Sequence, residues 1–200
     1  MTDLLLTNGT VVAMNADRDI LSDGAVAVAD GEIVDVGPTD RIEAEYTAPE
    51  RIDASGQAIL PGFISTHVHV SGILLRGLGN HRNLYDWLIN VKRPGTSAMT
   101  AEDHTIAAAV YAREALSTGL TTFVENATGS GGGYDTELLE GKFAVYDAAG
   151  VRNIYAYAFA DKPPSQSFVE SAGDIAMREP SVAHVLPDET VADTQDALDT

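Results

Sequence analysis

Apolar and polar positions alternate in short runs through the first sixty residues, and the pattern lengthens into mixed strand and helix spacing after Pro61-Gly62. LLLTNGTVVAM places Asn8-Gly9 between two apolar runs, which predicts a two-residue hairpin. GAVAVADGEIVDVG repeats the device with Asp30-Gly31, and RIDASGQAIL carries Ser55-Gly56 in a similar position. Asp40 to Glu50 reads as a polar connection. Residues 1–60 therefore predict a small all-β module of β-sandwich-like character.

Beyond Pro61-Gly62 the grammar changes. FISTHVHV reads as a strand, and NLYDWLINV has short helical spacing. Thr100 opens a helix: T-A-E-D resembles a capping box, Ile106 to Leu116 is rich in helix formers, and Gly119 marks the stop. LTTFVEN is a β-branched strand, ELLEGKFAVYDAAG a helix closed by Gly150, and VRNIYAYAFA a third strand. A weaker helix, SFVESAGDIAMRE, is expected after Pro163-Pro164. Strands alternating with helices imply an α/β class with a parallel sheet. Residues 61–200 could begin either a doubly wound sheet or a (β/α)8 barrel. A barrel takes about 250 residues, and the chain ends inside a helix-like stretch, so the reading is of a truncated chain.

Composition narrows the function classes. A hydrophobic content of 44% supports a core, and no run approaches the ~18 apolar residues of a membrane span. MTDLLLTNGT lacks the basic start and apolar core of a signal peptide, so a cytoplasmic protein without a membrane partner is expected. The absence of cysteine removes thiolate chemistry and disulfides. Thirty acidic residues stand against twelve basic ones, three of them lysine, for a net charge of -18. That balance disfavours nucleic acid as a partner. An Asp-rich, Lys-poor surface also suits work in high salt, which would make the protein halophilic.

Candidate chemistry centres on PGFISTHVHV. Residues i and i+2 of a strand share a face, so His67 and His69 project together and can converge on one cation. Two ligands do not complete a catalytic site, which needs three or more. The alternative is a pair of polar residues in an ordinary strand.

The context of the pair carries a resemblance. A β-rich start followed by the Pro-Gly-apolar-x-x-x-His-x-His strand resembles the amidohydrolase superfamily. ILLRG, YDWL-x-NV, PG-x-x-AM-x-x-ED and GLTTFVENA are similar to its aminotriazine and nucleobase hydrolase branch, which includes atrazine chlorohydrolase and melamine deaminase. The likeness runs from about Leu4 to the helix before Pro180 and is densest between Pro61 and Asn126. It implies the first part of a (β/α)8 metal-dependent hydrolase barrel, with the N-terminal module completed by C-terminal strands in full-length relatives. His67 and His69 would be the first-strand ligands of one divalent ion, Zn2+ or Fe2+. The other ligands and the proton-shuttling glutamate and histidine would lie beyond Thr200, leaving no catalytic residue in this chain. Trp87 and Leu88 would line the substrate pocket, with Asn126 close by.

The implied activity is metal-dependent hydrolysis at a C–N bond: deamination, or dechlorination, of an N-heterocycle such as an aminotriazine, purine or pyrimidine. The implied partner is that small molecule, and the full-length protein is expected to be a homo-oligomer. Two alternatives stand beside it: a non-catalytic N-terminal fragment with a partial metal site, and a cyclic-amide hydrolase of the dihydropyrimidinase kind. Gly72 stands where close relatives carry a polar residue, which leaves the triazine itself open as substrate.

His81, His104 and His184 read as non-ligands. His104 falls in the first turn of a strong helix, His184 has no partner at ligand spacing, and His81 lies in a loop on the active-site side. Glu125 invites a general-base reading, although the family's proton shuttle lies elsewhere. The Gly129 to Gly133 loop fails as a nucleotide motif. Tyr134 stands where the third glycine of G-x-G-x-x-G belongs, and no G-K-[ST] follows.

Overall fold

A computed structural model describes residues 2–128 and 136–158. The expected helix after Pro163-Pro164, the glycine loop at 129–133 and His184 lie outside the described residues. The chain divides into two compact units at Gly62 and Phe63.

The first unit is a five-stranded sheet built on β1 (Leu4–Val12), β2 (Ile20–Ala29), β3 (Glu32–Pro38), β4 (Glu50–Asp53) and β5 (Ala58–Ile59). β2 and β3 form the expected hairpin, with Asp30 and Gly31 both at positive φ (52° and 77°) as a primed turn demands. Asn8-Gly9 does something else. β1 runs straight through it with register shifts on either side of Gly9, so the pair is a bulge and not a turn. Asn8 takes the left-handed conformation (φ 62°), and Gly9 is pressed so closely on Ile59 and Ala54 that a Cβ there would overlap them.

Ser55-Gly56 likewise turns without reversing the chain: β4 and β5 both run parallel to β1. Asp53 organises that turn, its Oδ1 accepting from Ser55 N (3.0 Å), Ser55 Oγ (2.6 Å) and Asn8 Nδ2 (3.0 Å).

The stretch expected as a polar connection begins with a helix, α1 (Thr39–Glu45). Its polarity reflects a single buried stripe. Ile42 is wholly buried among Leu5, Ala25 and Ala27 of the sheet, while Arg41 grips Asp35 with two hydrogen bonds (2.7 and 2.9 Å).

In the second unit three strands pair in parallel in the order β6 (Phe63–Val68), β7 (Leu120–Thr128), β8 (Arg152–Ala158). Between β6 and β7 lie a 3-10 turn (Val70–Leu75), α2 (Leu84–Trp87), a π-helical turn (Leu88–Lys92), α3 (Arg93–Ser97) and α4 (Ala101–Ser117). α5 (Thr136–Ala149) links β7 to β8.

α4 starts on the expected capping box. Asp103 N donates to Thr100 Oγ1 (3.2 Å), and Thr100 N donates to Asp103 Oδ2 (2.8 Å). It stops at Gly119, whose φ of 79° suits a glycine after a helix end. The core lies on the helix side of the sheet, where Phe123 and Tyr146 meet edge to face (5.2 Å) and the small residues Ala107, Ala108 and Ala112 let α4 approach closely.

Candidate metal centre

β6 carries a register shift between Ser65 and Val68, the kind of bulge that re-aims side chains near a site. Val68 packs against the helix-side core, so alternation sends His67 and His69 to the opposite face of the sheet. The strand proper ends at Val68. His69 (φ -118°, ψ 89°) leaves the strand conformation and stands at the N-cap of the 3-10 turn that follows.

The two rings meet edge to face with centroids 4.8 Å apart, and their Nε2 atoms stand 3.1 Å from each other. The Nδ1 of His69 lies 2.6 Å from the backbone carbonyl oxygen of Asn126 on β7. A carbonyl only accepts, so Nδ1 carries the proton and His69 Nε2 presents its lone pair. Without a cation, His67 Nε2 then supplies the proton between the rings.

The donor set fits a metal ion. Two imidazole nitrogens held ~2.0–2.1 Å from one tetrahedral zinc stand roughly 3.3–3.4 Å apart, so a cation would take the place of the shared proton with a few tenths of an ångström of movement. Fixing one imidazole nitrogen by a hydrogen bond so that the other faces the metal is the usual outer-shell arrangement. Both histidines are exposed. Among the described residues no third histidine or carboxylate joins them.

Of the residues singled out from sequence, His67, His69 and Asn126 come together, and Asn126 contributes its backbone carbonyl. Trp87 and Leu88 are half-buried in the helical segment that follows and stand outside the histidines' hydrogen-bond network. The indole edge of Trp87 lies so close over Gly79 that a methyl there would overlap it. The π turn beginning at Leu88 buries Ile89, Val91 and Lys92, and burial together with the neighbouring Arg93 charge lowers the Lys92 ammonium below its ordinary value. His81 is exposed with φ 66°, and His104 is buried on α4, away from the pair's strand.

Glu125 is not placed as a base for that face. It is buried on the helix side, where Oε1 pairs with Lys142 Nζ and Oε2 accepts from Tyr146 Oη (2.7 Å). Lys142 also sits over the Tyr155 ring, 5.0 Å from its centroid. Sequence reasoning missed this cluster. Its one local signal was Lys142 and Tyr146 four residues apart on a predicted helix, hence on one face.

A cavity of about 360 Å³ opens on the same helix side, lined by Phe143, Tyr146, Asp147, Val151, Asn153 and Tyr155. Asn153 and Tyr155 pair in register with Phe123 and Glu125, so this cavity and the histidines occupy opposite faces of the sheet.

Comparison with known proteins identifies a family. Residues 58–195 match the amidohydrolase family. A 5-methylthioadenosine/S-adenosylhomocysteine deaminase of Syntrophobacter fumaroxidans is 33% identical over 162 residues, covering 80% of this chain and 35% of that protein. A 5'-deoxyadenosine deaminase of Methanosarcina mazei is 30% identical over 125 residues, covering 62% of this chain and 28% of its own. The chain thus spans about a third of the length of the curated relatives it matches.

Among solved structures, an adenosine deaminase from Xanthomonas campestris with bound zinc superposes with a TM-score of 0.69 at 26% identity, covering 88% of this chain and 39% of that one. An atrazine chlorohydrolase from Arthrobacter aurescens, complexed with zinc and atraton, superposes at 0.71 with 17% identity, covering 88% and 43%. That second likeness is one of fold.

Proposed function

The chain belongs to the amidohydrolase family, and on that premise we propose that it is the metal-binding first part of a hydrolase that deaminates an N-heterocycle. The observation that carries the reading is the convergence of His67 Nε2 and His69 Nε2 at 3.1 Å, with Asn126 holding His69 in the tautomer a cation needs. The ion is Zn2+ or Fe2+. When bound, it lowers the pKa of water and polarises the bond under attack.

This chain's part is to hold and orient. His67 and His69 supply two neutral nitrogens, and the Asn126 carbonyl keeps the His69 proton on Nδ1. Trp87 offers a flat apolar surface suited to a heteroaromatic ring, with Leu88 beside it and Asn126 on the strand end. The remaining ligands and the acid and base belong to the rest of the protein, and the first sixty residues of this chain form a module that precedes the barrel in sequence. The purine deaminases among its relatives favour an adenosine-type amine over an aminotriazine or a chloride leaving group. We place the working protein in the cytoplasm as a homo-oligomer, with its acidic surface adapted to salt. One second reading has a specific support: the chain spans about a third of its relatives, so these 200 residues by themselves bind metal weakly and do not turn over.

The test is to express the reading frame through its natural stop, measure bound metal, and screen for ammonia release. The panel is 5-methylthioadenosine, S-adenosylhomocysteine, 5'-deoxyadenosine, guanine, cytosine and aminotriazines. Release from an adenosine derivative, lost in H67A and in H69A together with the metal, is the expected result. Turnover by metal-free protein would overturn the mechanism, and an in-frame stop followed by unrelated sequence would leave only the non-catalytic fragment.

A further inference from the structure

We propose that the buried Glu125–Lys142–Tyr146 cluster is a positioning device for the metal site, acting through the β7 backbone to hold the Asn126 carbonyl in line with His69 Nδ1. The proposal rests on reading His67 and His69 as a ligand pair.

Glu125 and Asn126 are consecutive on β7, so their side chains leave on opposite faces while sharing one stretch of backbone. On the helix side α5 holds both oxygens of the carboxylate: Lys142 takes Oε1 and Tyr146 takes Oε2. Lys142 and Tyr146 lie one turn apart on α5, so the two grips are set by a rigid helix and fix both the position and the rotation of the carboxylate. All three residues are 2% exposed, which closes the arrangement to solvent, and the Phe123 ring packs edge to face on Tyr146. In so close-packed a core, β7 cannot rotate or slide to relieve the carboxylate without carrying the neighbouring carbonyl with it.

That carbonyl is the acceptor for His69 at 2.6 Å, and it selects which imidazole nitrogen faces His67. A buried ion pair is a poor way to add stability, since apolar side chains of similar volume usually do as well or better. Positioning accounts for its presence one residue from the groups that orient His69.

The experiment separates position from stability. Three variants are made in the full chain: K142M, E125Q/K142M and Y146F. The double variant replaces the charges with an amide of the same shape and an apolar stem, so its urea midpoint is expected to recover toward that of the parent, unlike that of K142M. Two properties are then read. Long-range 1H–15N correlation reports the tautomer of the His69 ring in metal-free protein, and a Co2+ titration reports affinity.

The double variant is expected to lose the Nδ1–H preference and to bind Co2+ about 10–100-fold more weakly despite its recovered stability. Y146F, which removes one grip, shifts the tautomer less and in the same direction. Parent-like ring shifts and parent-like Co2+ affinity in both variants would overturn the proposal. If the parent binds no Co2+ while the variants still change the His69 tautomer, the ligand-pair reading falls and the positioning of His69 stands.

Discussion

Replacing Tyr146 with phenylalanine removes one oxygen from a buried polar contact in the second unit. The Tyr146 hydroxyl donates to Glu125 Oε2 at 2.7 Å, and both residues are 2% exposed. The ring stays, so its edge-to-face contact with Phe123 survives and only the volume of one oxygen is vacated. What remains is a charge-assisted hydrogen bond lost and a carboxylate oxygen left buried without its donor, about 1.5–3 kcal/mol. With a urea dependence of about 2 kcal/mol per molar, the midpoint falls by about 1 M.

Trp87 is the single tryptophan and lies in the same unit, so its fluorescence follows this transition. A second arm uses pH. Burial first, and then the Glu125 charge, raises the Tyr146 hydroxyl above its ordinary 10.0. The unfolded chain therefore ionises first, so the stabilisation is complete below about pH 10 and falls as pH rises above that. The gap between parent and Y146F should shrink above pH 10. A Y146F stability within about 0.5 kcal/mol of the parent at neutral pH, or a gap that widens in alkali, would refute the reasoning.

Three further outcomes are expected. In G79A the new methyl must displace the Trp87 indole, and the tryptophan emission should shift to the red; unchanged emission would mean that Gly79 does not seat the ring. G119A places a Cβ at φ 79° with only ordinary contact to Phe63 (3.5 Å), so the cost is conformational, roughly 1–2 kcal/mol on the unfolding of the second unit. In R41M the hydrogen bonds from Arg41 that chiefly hold the Asp35 carboxyl near about 2 are gone, and its titration, followed by 13C NMR, should return toward 3.8. The sign is that of a depressed carboxylate: the parent holds this stabilisation above pH 3.8 and loses it as pH falls through 2, and the variant lacks that acid limb.

Much of this protein can be read from local pattern. The capping box at Thr100, the stop at Gly119 and the hairpin at Asp30-Gly31 each depend on a few neighbouring residues and their φ values, so composition over a short window is enough. His67 and His69 also declare themselves, because spacing of two in an extended chain puts both rings on one side whatever else the fold does. The same local signal misleads at Asn8-Gly9. A left-handed residue before a glycine serves a hairpin or a bulge equally well, and the choice was made by β4 and β5, which pair along β1 from residues far away in sequence.

α1 was hidden for a related reason. One wholly buried residue, Ile42, leaves no periodicity to find, and the sheet face beneath it supplies the helix's reason to form. At the site, tertiary structure alone decided which face of β7 belongs to the helices, and so sent Glu125 to Lys142 and Tyr146. It also brought the Asn126 carbonyl against an imidazole 57 residues away. Side-chain chemistry leaves a trace in sequence, whereas a backbone carbonyl is the same at every residue, and its role exists only once the strands are paired.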